Sequence, residues 1–264
     1  MLNTLNLTAR LRGDVPLYEL DAMNEWGVDA FFTGRGGGVS ASPYDSLNLG
    51  THVGDDPTLV AENRRRVAAA SQLDVNKLVT TSQVHGAQVN DVDQWNGEPL
   101  VGDSLVCTRD DVALVILVAD CIPLLFVDTA STRFAVAHAG WRGLMANVIA
   151  TTLAHFENPD DVRVVIGPHI SPAKYQVGPE VAQHFLEVDG AVLADVGDRS
   201  RLDLAAIALD QLVRGGLDVS SITRCSPGTD EGTVFFSDRA QRPCGRFALV
   251  VRRFYDASPK EGNK

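Results

Sequence analysis

The stretch VALVILVADCIPLLFVDTASTRFAVAHAGWRG, residues 112–143, decides the fold. It holds three apolar runs of strand length, at 112–119, 123–128 and 133–138. Short turns join them, and no helix separates them, which predicts an antiparallel meander. Asp120 and Cys121 stand between the first two runs, and the third delivers His138 to a Gly-Trp-Arg-Gly turn. Reactive side chains therefore sit at the ends of strands.

Further strands fit residues 162–167 and 247–252. Helices fit residues 57–73, with Asp56 as N-cap and Pro57 in the first turn, then 144–156, 179–188 and 203–213. In the second of these Leu144, Val148, Ile149, Leu153 and Phe156 share one stripe. Strands and helices mix without strict alternation, which predicts an α+β protein with mixed, largely antiparallel sheets. No repeat, low-complexity block or linker divides the chain. Residues 1–264 therefore read as a single domain with a frayed tail from about 257. Residues 33–56, TGRGGGVSASPYDSLNLGTHVGDD, form a long glycine-rich segment with few apolar anchors, and loops of that length in compact proteins are commonly functional.

Acidic residues outnumber basic ones, 34 against 23, for a net charge of −11. Nucleic acid and anionic membrane surfaces are therefore excluded as partners of the molecule as a whole, while local basic clusters remain able to hold small anions. The N-terminus has no apolar signal-peptide core, and no run of about 18 uncharged apolar residues occurs. The expectation is a cytoplasmic protein with no membrane span. Four cysteines, Cys107, Cys121, Cys225 and Cys244, with no CxxC pair, exclude a disulfide framework and a closed structural zinc knot.

Six histidines are present. His155 and His184 fall within helical patterns and are expected to be dispensable. His169 follows a strand and a Gly-Pro turn, as at the rim of a site, and His52 lies in the long loop. His85 in TTSQVHGAQV precedes Gly86, where the backbone can turn and leave the imidazole projecting. His85, Cys121 and His138 make the ligand set of an open, catalytic zinc site. The same trio also reads as a cysteine–histidine nucleophile pair oriented by Asp120 or Asp103, or as three unrelated residues, and spacing does not choose among these. A deaminase of the cytidine type is excluded, because Gly140 stands where its glutamate would be and no CxxC follows. AHAGWRG reads equally as an anion cradle carrying Arg142 and as a plain strand-to-helix turn with Trp141 in the core. Arg35 among glycines has the same character, and Arg35 and Arg142 are expected near one pocket. GRGGG is not a nucleotide fingerprint.

The motifs TGRGGGVSASPYDSLNLGTHVGDDPTLVAENRRR, QVHG, ADCIP, AHAGWRG, IGPHI and FFSDR…GR, taken in order, resemble the bacterial YfiH/YlmD-like family. That family is also called laccase-domain or multicopper polyphenol oxidase proteins, and peptidoglycan editing factor. The resemblance covers residues 31–252. It implies an α/β/β/α layered domain and a metal site of His85, Cys121 and His138, with zinc the usual occupant and copper the alternative. It further implies purine nucleosides and phosphate as small-molecule partners: phosphorolysis of adenosine, inosine, guanosine and S-methyl-5'-thioadenosine, and deamination of adenosine. Arg35, Asn48, Gln83 and Arg142, all within or beside the matching motifs, are the candidate substrate-binding residues. The older copper-dependent phenol oxidation fits poorly, because six histidines cannot furnish a multicopper centre. Relatives commonly read FFSYRRDG near the C-terminus, where this chain has Asp238 in place of the tyrosine and Ala240 in place of the second arginine. Two other classes of function stay open: a cysteine hydrolase editing peptidoglycan precursors, and a noncatalytic binding module.

Overall fold

A computed structural model describes residues 2–230 and 233–254. The tail expected to fray from about 257 lies outside the described residues. Two large sheets stack, one of seven strands and one of six. Period-2 alternation builds the layers. In strand Ile122–Asp128, Leu125 and Val127 face the other sheet and pack with Leu114, Ile116, Phe32 and Leu249, while Leu124 and Phe126 face the helices. Leu144, Val148, Ile149, Ile207 and Leu212 cover that outer face. On the far side of the six-stranded sheet Phe31, Val115 and Val250 pack against Val67 and Ala70 of helix Pro57–Ala70. The order is helix, sheet, sheet, helix, as the resemblance implied.

The five strands read from the sequence form where expected, but not as one meander. Ala113–Val118 belongs to the six-stranded sheet, antiparallel to Phe247–Arg253. Ile122–Asp128 belongs to the seven-stranded sheet, between Phe134–Ala139 and Val162–Ile166 and antiparallel to both. The chain thus changes sheets at Ala119–Asp120–Cys121, where Asp120 adopts φ +87°. Both runs are buried on both faces, so their apolar residues carry no mark of which sheet they join.

Helix Pro57–Ala70 starts as read, with the Asp56 side chain accepting the Thr58 N–H. The expected helix over 144–156 is broken. It divides into Trp141–Met145 and Val148–Leu153, with Asn147 at φ +64°, a conformation that asparagine tolerates better than most residues. The apolar stripe stays buried in spite of the break. The expected helix at 179–188 is short, Pro179–Ala182 with one tighter turn after it, whereas Leu204–Arg214 forms as read with Asp203 as its cap. Residues 34–56 carry no helix or strand. The loop is nonetheless fixed from beneath by Asn63, whose amide donates to Ser40 Oγ and to the carbonyls of Ser46 and Asn48. Among the described residues no helix is long and apolar enough to cross a membrane.

Candidate functional site

Asp103, fully buried before strand Ser104–Cys107, organises the site. Its carboxylate accepts the backbone N–H groups of Val84, His85 and Gly86 at 3.1, 2.9 and 2.7 Å. These bonds hold His85 at φ +59°, a left-handed conformation that histidine visits more readily than most side chains. The same carboxylate lies 2.8 Å from Nδ1 of His138 on strand Phe134–Ala139, which leaves the other ring nitrogen for the site. One buried carboxylate therefore holds the His138 ring and the backbone that carries the His85 ring.

Cys121 is placed by the change of sheet. The Asp120 carboxylate accepts Thr229 Oγ1 and the Arg239 N–H, each at 2.7 Å, and its carbonyl accepts the Ile170 N–H at 3.0 Å. The crossing is thereby tied to two distant loops. Gly140 completes the approach, since a Cβ there would stand 2.8 Å from Cys121 Sγ and 3.4 Å from His85 Cδ2. The small residues of AHAGWRG make room for these two side chains. His85, Cys121 and His138 each offer one ligand atom, all within 4.8 Å of one another. Among the described residues this is the one such group of His, Cys or carboxylate side chains.

Burial pushes the Cys121 thiol up, but the charge of His138 and hydrogen bonds from His138 and His85 outweigh it and bring the thiol down to about 6. Burial pulls His138 down, yet the Cys121 thiolate and Asp103 raise it to about 9. Without metal, each of the two groups favours the charged form of the other. Burial instead pushes Cys107 up to about 12 and raises Cys225 and Cys244. Cys121 stands apart from the other three thiols.

A cavity of about 670 Å³ opens over the trio. Gln83 and Arg142 line it. Both ends of the Gln83 amide are engaged with the backbone of Leu117, at 2.8 and 2.9 Å. Arg142 is exposed and lies 4.3 Å over the Trp141 ring, which lines the cavity and is only partly buried. Arg35 and Arg142 do not share this cavity. Arg35 lines a neighbouring one of about 540 Å³, pairs with Asp45 at 3.1 Å, and lies over Phe236. A glycine-flanked arginine looks uncommitted in the sequence because its carboxylate partner is ten residues away. Asn48 is buried outside the cavity lining, where its amide joins Gly50, Asp55 and the Arg246 N–H. His169 is buried, not at a rim, with Nδ1 2.7 Å from the Gly167 carbonyl. His52, left open in the sequence, lies on the cavity wall, as do Arg64, Tyr175 and Arg239, for which the sequence reading held no expectation. For Arg64 a signal existed: it shares a helix face with the buried Val60 and Val67, four residues before it and three after.

The family model described as multi-copper polyphenol oxidoreductase laccase matches residues 29–253. The purine nucleoside phosphorylase YfiH of Escherichia coli K12 is 40% identical over 233 residues, covering 85% of this chain and 93% of that protein. The crystal structure of YlmD from Geobacillus stearothermophilus is similar with a TM-score of 0.85 at 32% identity, over 94% of this chain and 98% of that one. That of the Bacillus licheniformis hypothetical protein YfiH also gives 0.85, at 29% identity, over 93% and 99%.

Proposed function

The chain belongs to the multi-copper polyphenol oxidoreductase laccase family, together with its YfiH and YlmD relatives, and from that premise we propose that it is a zinc-dependent purine nucleoside enzyme. Its reactions are phosphorolysis of adenosine, inosine, guanosine and S-methyl-5'-thioadenosine, and deamination of adenosine. The observation that carries the reading is the convergence of His85, Cys121 and His138 within 4.8 Å under an arginine-lined cavity. The donors suit zinc: two imidazoles and a thiolate leave a fourth position open, and the Asp103–His138 bond is the carboxylate–histidine support that zinc ligands commonly carry. Copper fits the same donors, so metal analysis decides between them. Bound zinc would supply a Lewis acid at the cavity floor.

The chain's own groups account for the rest. Tyr175 and Trp141 give the cavity aromatic surface for a flat purine, and its arginines give positive charge for phosphate. Gln83 holds the end of strand Ala113–Val118 in place beside them. In phosphorolysis a phosphate oxygen bonds to C1′ as the C1′–N9 bond breaks, and the base leaves with a proton. In deamination water adds at C6 and ammonia leaves. Incubating the protein with a nucleoside panel, with and without phosphate, and separating products by chromatography tests both. Free base arising only with phosphate supports phosphorolysis, and no turnover of any nucleoside by zinc-loaded protein ends the proposal.

A second reading has its own support. Cys121, His138 and Asp103 form a thiolate–imidazolium–carboxylate series, the arrangement of a nucleophilic cysteine acting on amides such as peptidoglycan precursors. Alkylation kinetics separate the two. Copper-linked phenol oxidation finds less support, since the described residues contain one ligand trio and no second set.

A further inference from the structure

Arg64, Arg142, Arg239, Arg242 and Arg246 all line the site cavity of a chain whose net charge is −11. Apart from Arg64, three of these guanidinium groups donate hydrogen bonds to the protein. Asp238 accepts Arg242 Nε at 2.6 Å and Arg246 Nη2 at 3.3 Å, so one carboxylate offsets both. Arg239 donates to the Gln176 carbonyl at 2.9 Å and lies over Tyr175. Arg142 lies over Trp141 and is exposed, so water can solvate its charge.

Arg64 is different. Among the described residues it makes one bond, from Nε to the Leu49 carbonyl at 3.0 Å, and both terminal nitrogens are left over. Apolar residues stand behind it: Leu49, Val67, Leu78 and Leu117 line a small cavity that Arg64 also borders. Burial pulls the guanidinium below its ordinary value, with no carboxylate to oppose that. A cation partly withdrawn from water and lacking a counter-ion is costly unless an anion completes it. Thr51, His52, Thr80 and Ser82 line the same wall and add polar groups.

We propose that Arg64 is the oxyanion-holding residue of this cavity, presenting its two terminal nitrogens as a fork to two oxygens of one tetrahedral oxyanion. Inorganic phosphate is that oxyanion, an identification that rests on the phosphorolysis reading.

The test is kinetic, on the full chain, with inosine and inorganic phosphate varied separately for wild type, Arg64→Gln and Arg64→Lys. Arg64→Gln is expected to raise the phosphate KM by about tenfold or more, the scale of lost charge-assisted bonds, with the inosine KM and the melting temperature nearly unchanged. Arg64→Lys keeps the charge without the fork and should recover only part of the loss. An unchanged phosphate KM overturns the proposal. So does a joint rise of both KM values with a lowered melting temperature, the signature of a residue that only supports Leu49. Calorimetry with inorganic phosphate and inosine 5'-monophosphate separates two sources of the anion, and a loss confined to the nucleotide overturns phosphate as the ligand. If wild type shows no phosphate-dependent cleavage, the phosphorolysis reading fails. Phosphate binding by wild type, lost in Arg64→Gln, would then still sustain the role of Arg64, and no phosphate binding by wild type would overturn it.

Discussion

The Asp103 carboxylate lies 2.8 Å from His138 Nδ1 while it also accepts three successive backbone N–H groups around His85. A strand residue and a loop residue are thus oriented by a single buried group. Asp103→Asn should therefore weaken both imidazoles together. Loss of such support behind a metal ligand typically costs about 10–100-fold in metal affinity. Competition against a graded chelator measures it, and wild-type zinc retention in the variant would show that the histidines are held by other contacts.

The same residue predicts a pH dependence. Burial would raise the Asp103 carboxyl, but the bonds from His138 and the Gly86 and Val84 N–H groups outweigh it and hold it below the ordinary range. A depressed folded-state value contributes stability that is complete above the unfolded value, about 3.9, and is lost as pH falls through the folded one. Below about pH 4 the urea midpoint of wild type should fall more steeply than that of Asp103→Asn. Parallel curves for the two proteins would assign the acid sensitivity elsewhere.

Gly140→Ala is a steric test of the trio. The added Cβ would stand 2.8 Å from Cys121 Sγ, closer than real Cβ contacts allow, so the thiol must shift. Overpacking of this kind costs about 1–3 kcal/mol. The expected outcome is metal retention lowered by about tenfold or more, which corresponds to 1.4 kcal/mol or above, with an unchanged far-ultraviolet circular dichroism spectrum. Retention equal to wild type would mean that the thiol has room to move and is not held in one ligating position.

Much of this was legible in the sequence, and the exceptions have local causes. Strands such as Phe247–Arg253 were readable because they are unbroken apolar runs, and helix Pro57–Ala70 because its cap and its proline are local signals. The change of sheet at Asp120 was not, since an apolar run buried on both faces looks the same in either sheet. The break at Asn147 was hidden because the helical stripe runs on across it. His85, Cys121 and His138 could be picked out as residue types beside turns, but their convergence depends on Asp103, a residue that the sequence reading offered only as one of two possible orienters. Arg35 and Asn48 looked free because Asp45 and Asp55 are not visible as partners until the loop is folded.

His155 and His184 lie outside the trio. His184 is exposed and stacks on Trp141 with ring centroids 6.4 Å apart, and His155 is only partly buried at the end of its helical segment. His155→Ala and His184→Ala should each leave nucleoside turnover within about threefold, the ordinary range for surface substitutions of less than 1 kcal/mol. Complete loss in His184→Ala would promote the Trp141 wall from lining to an essential part of the site.

Cys121 gives the test that separates the two chemical readings. As a zinc ligand its thiolate is covered, so iodoacetamide should label zinc-loaded protein slowly. Chelation should then expose a fast-reacting thiol while nucleoside turnover disappears. Without metal the thiol is brought down to about 6 against its burial by His138 and His85, so labelling of chelated protein should be flat above about pH 7 and decline below 6. Cys107, Cys225 and Cys244 are buried with raised values, so the fast phase should report Cys121 alone. A nucleophilic cysteine predicts the reverse: rapid labelling of the native enzyme, turnover indifferent to chelator, and an acyl adduct on Cys121. Cys121→Ser closes the argument, because a hydroxyl binds zinc far more weakly than a thiolate does, and zinc content and nucleoside cleavage should fall together. Full zinc with full activity in Cys121→Ser would remove the residue from the ligand set.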